Sequence, residues 1–104
     1  MQVFSWIYDG VTPKLIRVEY HARFQIPSFS VLGLPGPEIQ EARERIVAAF
    51  HASEIEFLKK KIIINLAPDS IKKWGTGHDL AIATAILQAS IEIRWPKTLL
   101  AWGE

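Results

Sequence analysis

Cysteine does not occur in the 104 residues, which removes disulfides, thiolate metal sites and cysteine nucleophiles together. Charge of one sign is also missing: 12 lysines and arginines stand against 11 acidic residues, for a formal net charge of +1. The whole-chain balance therefore points to no polyanionic partner, and only a local patch can argue for one. No apolar run reaches the roughly 18 residues of a membrane span. The first six residues have no basic stretch ahead of an apolar one, so they read as a strand rather than a secretory leader. Internal repeats, low-complexity tracts and Ser/Gly linkers are lacking too, so nothing marks an internal boundary. What is present is 49% hydrophobic and 22% charged residues, enough for one modest core. The expectation is a single soluble α+β domain.

Val3 to Tyr8 is apolar and aromatic, and Asp9-Gly10 follows as a hairpin turn. Lys14 to Phe24 alternates, with Ile16, Val18 and Tyr20 on one face and Arg17, Glu19 and His21 on the other, a half-buried strand. After Pro27, Ser28 to Leu32 reads as a third strand. Pro37 suits an early helical position, and Ile39, Ala42, Ile46, Ala49 and Phe50 then form an apolar helical stripe that ends near Ser53. Glu41, Arg43, Glu44 and Arg45 face outward. The β-branched run Ile62-Ile63-Ile64 predicts a central strand or one buried on both faces, stopped by Pro68. Asp69 to Lys73 reads as one helical turn. Asp79 is placed to cap a second helix, Leu80 to about Ser90, so apolar that it should be deeply buried. Ile91 to Trp95 is ambiguous between helix end and strand, and Thr98 to Trp102 begins a last strand. The segregated order β-β-β-α-β-α indicates α+β rather than an alternating parallel fold.

Candidate chemistry is sparse. Two glycine-containing loops precede helices, but neither carries the Gly-Lys-Ser/Thr ending or the G-x-G-x-x-G run that phosphate cradles need, and turn chemistry explains both. His21, His51 and His78 are scattered, without metal-ligand spacing, so no metal or cofactor is expected. Thr76, His78 and Asp79 are close in sequence and are retained as a hydrolytic reading, although a triad is assembled in space. Lys59, Lys60, Lys61, Lys72 and Lys73, with Trp74 beside them, make the candidate nucleic-acid patch. Its bland alternative is a solvated strand start and a solvated turn.

Four stretches in order carry a resemblance: Pro27-Ser28-Phe29-Ser30-Val31-Leu32-Gly33-Leu34-Pro35, Glu41-Ala42-Arg43-Glu44-Arg45-Ile46, Ile64-Asn65-Leu66-Ala67-Pro68 and Gly77-His78-Asp79-Leu80-Ala81-Ile82-Ala83. They resemble the N-terminal domain of magnesium-chelatase-like AAA+ ATPases of the ComM/YifB type, over nearly the whole chain. Gly36-Pro37, His78 and Ala81 depart from the family pattern of an Asp with a small residue, an aromatic and a Pro. The resemblance implies a two-layer fold of the ribosomal-protein-S5-domain-2 type, similar to the proteolytic domain of Lon and including a left-handed βαβ crossover. It implies that residues 1–104 are one domain cut short at its C-terminal end. Lon's serine would fall on Gly77, and its lysine past Glu104, so no Ser–Lys peptidase is expected.

It further implies a cytoplasmic, non-catalytic module of an ATPase engaged in DNA processing, such as branch migration during natural transformation. The partners implied are the AAA+ motor of the same parent protein, DNA, and further copies of itself in an oligomer; a membrane is not among them. Arg43, Arg45, Lys59, Lys60, Lys72 and Lys73 are the expected phosphate or partner contacts. The competing reading is an assembly module without nucleic-acid binding, whose sign would be an exposed apolar patch built from Trp95, Leu99, Leu100 and Trp102.

Overall fold

Alternating apolar residues over the first 23 positions fold back on themselves as strands β1 (Gln2–Asp9) and β2 (Thr12–Arg23). In the computed structural model, which describes residues 2–56, 59–90 and 96–103, these pair antiparallel from Val3↔Val18 to Asp9↔Thr12. Gly10 turns the hairpin with a φ of 67°, a conformation that L side chains avoid. There follow β3 (Ser28–Leu32), α1 (Pro37–Ala52), β4 (Lys61–Ala67), α2 (Asp79–Ser90) and β5 (Thr98–Leu100). The five strands form one mixed sheet in the order β3-β4-β2-β1-β5. β3 pairs parallel with β4, and β5 parallel with β1, so β3, α1 and β4 make a βαβ unit.

The period of two sorts the sheet's side chains. Val3, Ile7, Ile16, Val18, Val31, Ile62, Ile64 and Leu66 are buried in one cluster with Ile39, Ala42, Ile46 and Phe50 of α1 and with Ala81, Ile82, Ala85 and Ile86 of α2. Each large side chain so buried contributes about 1.5–3 kcal/mol, and both helices share one core. That arrangement is compatible with two layers. The opposite sheet face carries Arg17, His21 and Arg23, all exposed, with Ile63 and Asn65 half-buried. β4 is thus an interior strand buried on one face, not on both.

Three local expectations are corrected. Ala49 is exposed, because the stripe that meets the sheet is Ile39, Ala42, Ile46 and Phe50. Leu80 and Ala89 are exposed while Ala81, Ile82, Ala85 and Ile86 are fully buried, so α2 is buried along one face and not all round. Asp69 to Lys73 forms no helical turn. Lys73 pairs parallel with Pro35 in an isolated bridge, its N–H donating to Leu34 O at 2.9 Å and its carbonyl accepting from Gly36 N at 2.7 Å. Those long-range bonds hold an extended backbone that no local signal encodes. Gly33 permits the close approach beside it, since a Cβ there would stand 2.2 Å from the carbonyl oxygen of Leu66. The segment from Ile91 to Trp95 lies outside the described residues. No helix among the described residues is long and apolar enough to cross a membrane.

Candidate functional site

The loop between β4 and α2 carries Lys72, Lys73, Thr76 and His78 among the candidate residues. Asp79 opens α2, and its carboxylate accepts both arms of the Arg45 guanidinium, from Nε at 2.7 Å and Nη2 at 3.1 Å. A bidentate pair of this kind ties α1 to α2. Arg45 Nη2 also donates to the carbonyl of Glu38. Arg45 is therefore a clamp within the fold. Arg43, half-buried on the same helix, donates to the carbonyls of Gln40 at 3.1 Å and Phe29 at 3.4 Å, against the edge strand β3. Neither arginine stands in the outward row that helical periodicity suggests.

His78 is 1% exposed. Its Nε2 lies 3.0 Å from the carbonyl of Trp74, and its Nδ1 lies 2.6 Å from Ser5 Oγ. A carbonyl only accepts, so Nε2 carries the proton of the neutral ring, and the Ser5 hydroxyl donates to Nδ1. Burial pushes the imidazole's pKa down, opposed by the Trp74 carbonyl and the nearby Asp79 charge. Ser5 itself is fully buried, so a substrate cannot reach this Ser–His pair. Both ring nitrogens of His78 are taken, by Ser5 and the Trp74 carbonyl, and the Asp79 carboxylate takes Arg45. His78 is therefore not placed as the base that the hydrolytic reading of Thr76, His78 and Asp79 requires. The Ser5–His78 pair was beyond sequence reasoning, because 73 positions separate its members.

Gly77 is tightly enclosed: a Cβ there would fall 2.0 Å from the ring of Trp102. The Trp102 indole lies 5.7 Å from that of Trp6, which meets Tyr8 edge-on at 5.0 Å. With Trp74, these rings line a cleft of about 170 Å³ over Gly75, Gly77 and His78. Gly75 N–H donates to Glu38 Oε1 at 3.2 Å, and the backbone N–H groups of Glu38 and Gly75 hold the Glu38 carboxyl below its ordinary pKa. Of the expected apolar patch, Leu100 and Trp102 are exposed and Leu99 half-buried, while Trp95 lies outside the described residues.

The lysine patch is divided. Lys73 is fully buried, with its ammonium on the carbonyl of Pro68, and burial lowers its pKa against the pull of Asp69. It cannot meet a phosphate. Lys72 is exposed at one end of β4, while Lys59, Lys60 and Lys61 lie at the other, about 20 Å away for a seven-residue strand. Lys59 pairs with Glu56 at 3.0 Å, both exposed. Arg23 joins this end, directly opposite Lys61 in the sheet register. Lys60 Nζ sits 4.5 Å from the centroid of the Phe24 ring. Sequence reasoning passed over Arg23 and Phe24, whose place beside the lysines follows from strand pairing. Among the described residues no group of three His, Cys, Asp or Glu could hold a metal.

Comparison with known proteins agrees with the four ordered motifs. The chain is 42% identical over 84 residues to the uncharacterized protein YifB of Salmonella typhimurium, covering 81% of this chain and 17% of that one. The Escherichia coli YifB matches equally, at 42% over 84 residues with the same coverage, 81% and 17%. The competence protein ComM of Haemophilus influenzae is 35% identical over 91 residues, covering 88% of this chain and 18% of that one. The chain thus spans under a fifth of the length of these curated relatives. The family described as subunit ChlI of Mg-chelatase matches residues 18–104, and the chain belongs to that family.

Proposed function

We propose that this chain is a non-catalytic N-terminal module of a ComM/YifB-type AAA+ ATPase, with the two-layer S5-domain-2-like fold of the Lon proteolytic domain, working in the cytoplasm on DNA. The observation that carries the DNA reading is the cationic end of the sheet, where Arg23, Lys59, Lys60 and Lys61 gather. Among the described residues the carboxylate paired with any of them is Glu56, through Lys59. A strip of this kind neutralises phosphates and releases their counterions. Two further observations support a module without chemistry of its own. The position that the Lon resemblance gives to a serine is Gly77, which lies under an indole ring, and the neighbouring His78 and Asp79 are engaged inside the fold. The parent's role would then be DNA processing such as branch migration in natural transformation, with ATP bound by its motor.

The test is fluorescence anisotropy of labelled single-stranded and branched DNA against the 104-residue chain at rising salt. Four phosphate contacts predict a log–log slope of about −3. Binding that is absent, or indifferent to salt, sinks the reading.

A second reading, an assembly module that docks onto its own motor or onto further copies, is favoured by the aromatic cleft. Tyr8, Trp74, Leu100 and Trp102 are each between 45% and 58% exposed, a concentration typical of contact surfaces. A monomer at every concentration in analytical ultracentrifugation, together with no association with the motor, would count against it.

A further inference from the structure

The segment between β2 and β3 leaves two large apolar side chains openly in water beside positive charge. Phe24 is 89% exposed and Ile26 87%. The ring of Phe24 is not adrift, however, because the ammonium of Lys60 stands 4.5 Å from its centroid. A cation over one face of an exposed benzene ring is a weak tether, about 0.5–1 kcal/mol, and leaves the other face to meet a flat partner. Arg23 and Lys61 are neighbours across the β2–β4 register, and Lys59 stands two residues ahead of β4. Ile26 continues the apolar surface into a hollow of about 580 Å³ whose other walls are Gln25, Ser28 and Lys61. The tip thus offers a ring face, an open hollow lined by an amide and a hydroxyl, and four cations close by.

We propose that the β2–β3 tip is a contact site for single-stranded nucleic acid, in which Phe24 stacks on an unpaired base while Arg23, Lys59, Lys60 and Lys61 neutralise the adjoining phosphates. The inference rests on the DNA reading above and narrows it to one strand state and one set of residues. Cations alone serve duplex and single strand alike. An aromatic ring that projects past them selects the single strand, since bases in a duplex have their faces already covered by their neighbours. An anionic lipid surface would also suit cations around an apolar tip, but the amide of Gln25 and the hydroxyl of Ser28 in the adjoining hollow suit the polar edge of a base better than acyl chains.

The experiment titrates fluorescein-labelled oligothymidine, and separately a duplex of equal length, with the chain and with Phe24→Ala, Phe24→Leu and Phe24→Trp variants, each checked for folding by circular dichroism. The expected result is a loss of about 5- to 100-fold in single-strand affinity for Phe24→Ala, a comparable loss for Phe24→Leu, and retention for Phe24→Trp. Duplex affinity should stay within about twofold for all three, and Arg23→Ala should reduce the single-strand salt slope by about 0.7. Leucine serving as well as phenylalanine would overturn stacking. So would equal losses on single strand and duplex, or Phe24-dependent binding to phosphatidylglycerol vesicles with none to the oligonucleotide. Salt-dependent DNA binding that ignores every Phe24 change would overturn this site alone and leave the wider DNA reading standing. No DNA binding by the unaltered chain would end both.

Discussion

Ser5 Oγ lies 2.6 Å from Nδ1 of His78, joining β1 to the residue just ahead of α2 in a buried contact. Replacing Ser5 by alanine leaves a buried ring nitrogen without its donor. The expected cost is about 1–3 kcal/mol, read as a lowered midpoint in urea with an unchanged slope. A Ser5→Ala variant as stable as the original would show that the pair contributes nothing net.

The same histidine makes stability depend on pH. Burial lowers the folded-state pKa of His78 from 6.5, so near and below that pH the unfolded chain binds more protons. Its contribution is fully present above about pH 6.5 and is lost as pH falls from there toward the folded value. His78→Gln should flatten this part of the profile in thermal melts from pH 7.5 down to 5, relative to the parent. A parent profile already flat there would contradict it.

Arg45 and Asp79 should behave as a coupled pair. The Asp79 side chain is 7% exposed and that of Arg45 38%, so solvent screens the pair in part. Arg45→Ala should cost about 1–3 kcal/mol, less than a fully buried pair, mainly by stranding the carboxylate. A double-mutant cycle with Asp79→Asn should give a coupling above about 0.5 kcal/mol. Strict additivity would mean that the fork is incidental.

Lys73→Met tests whether burial has removed this lysine from the basic patch. DNA affinity should stay at the parent's value, while Lys59→Ala lowers it. Burial depresses the Lys73 pKa from 10.5; between the folded value and 10.5 the unfolded chain holds more protons, so stability rises with pH across that window. The methionine variant should lack this rise, as seen in the difference between the two alkaline stability curves. Weakened DNA binding by the folded variant would restore Lys73 to the contact set.

Where the sequence was legible, the signal was local. The alternation of Ile16, Val18 and Tyr20, the bracketing of Ser28–Leu32 by Pro27 and Gly33, and Pro37 ahead of a helical stripe each mark an element within a few residues of its bounds. The errors fall where distant partners decide. Lys73 reads as the end of a solvated turn until the main chain of Leu34 and Gly36 draws it into a bridge. Arg45 reads as an outward cation until α2 brings Asp79 to it. The site followed the same rule: Lys59 and Lys60 were visible as a run, whereas Arg23 and Phe24 joined them only through the pairing of β2 with β4.

Trp102 resting on Gly77 also bears on how chemistry could be gained or lost in a fold of this kind. A serine introduced at position 77 alone would have to evict an indole before its hydroxyl met solvent, so the single change passes through a strained protein. Trimming Trp102 to a small side chain first opens the loop at little steric expense, and the hydroxyl can follow. The two substitutions are ordered: with a large ring settled on the glycine, any stepwise route to a hydroxyl at 77 has to begin at Trp102 and not at 77 itself.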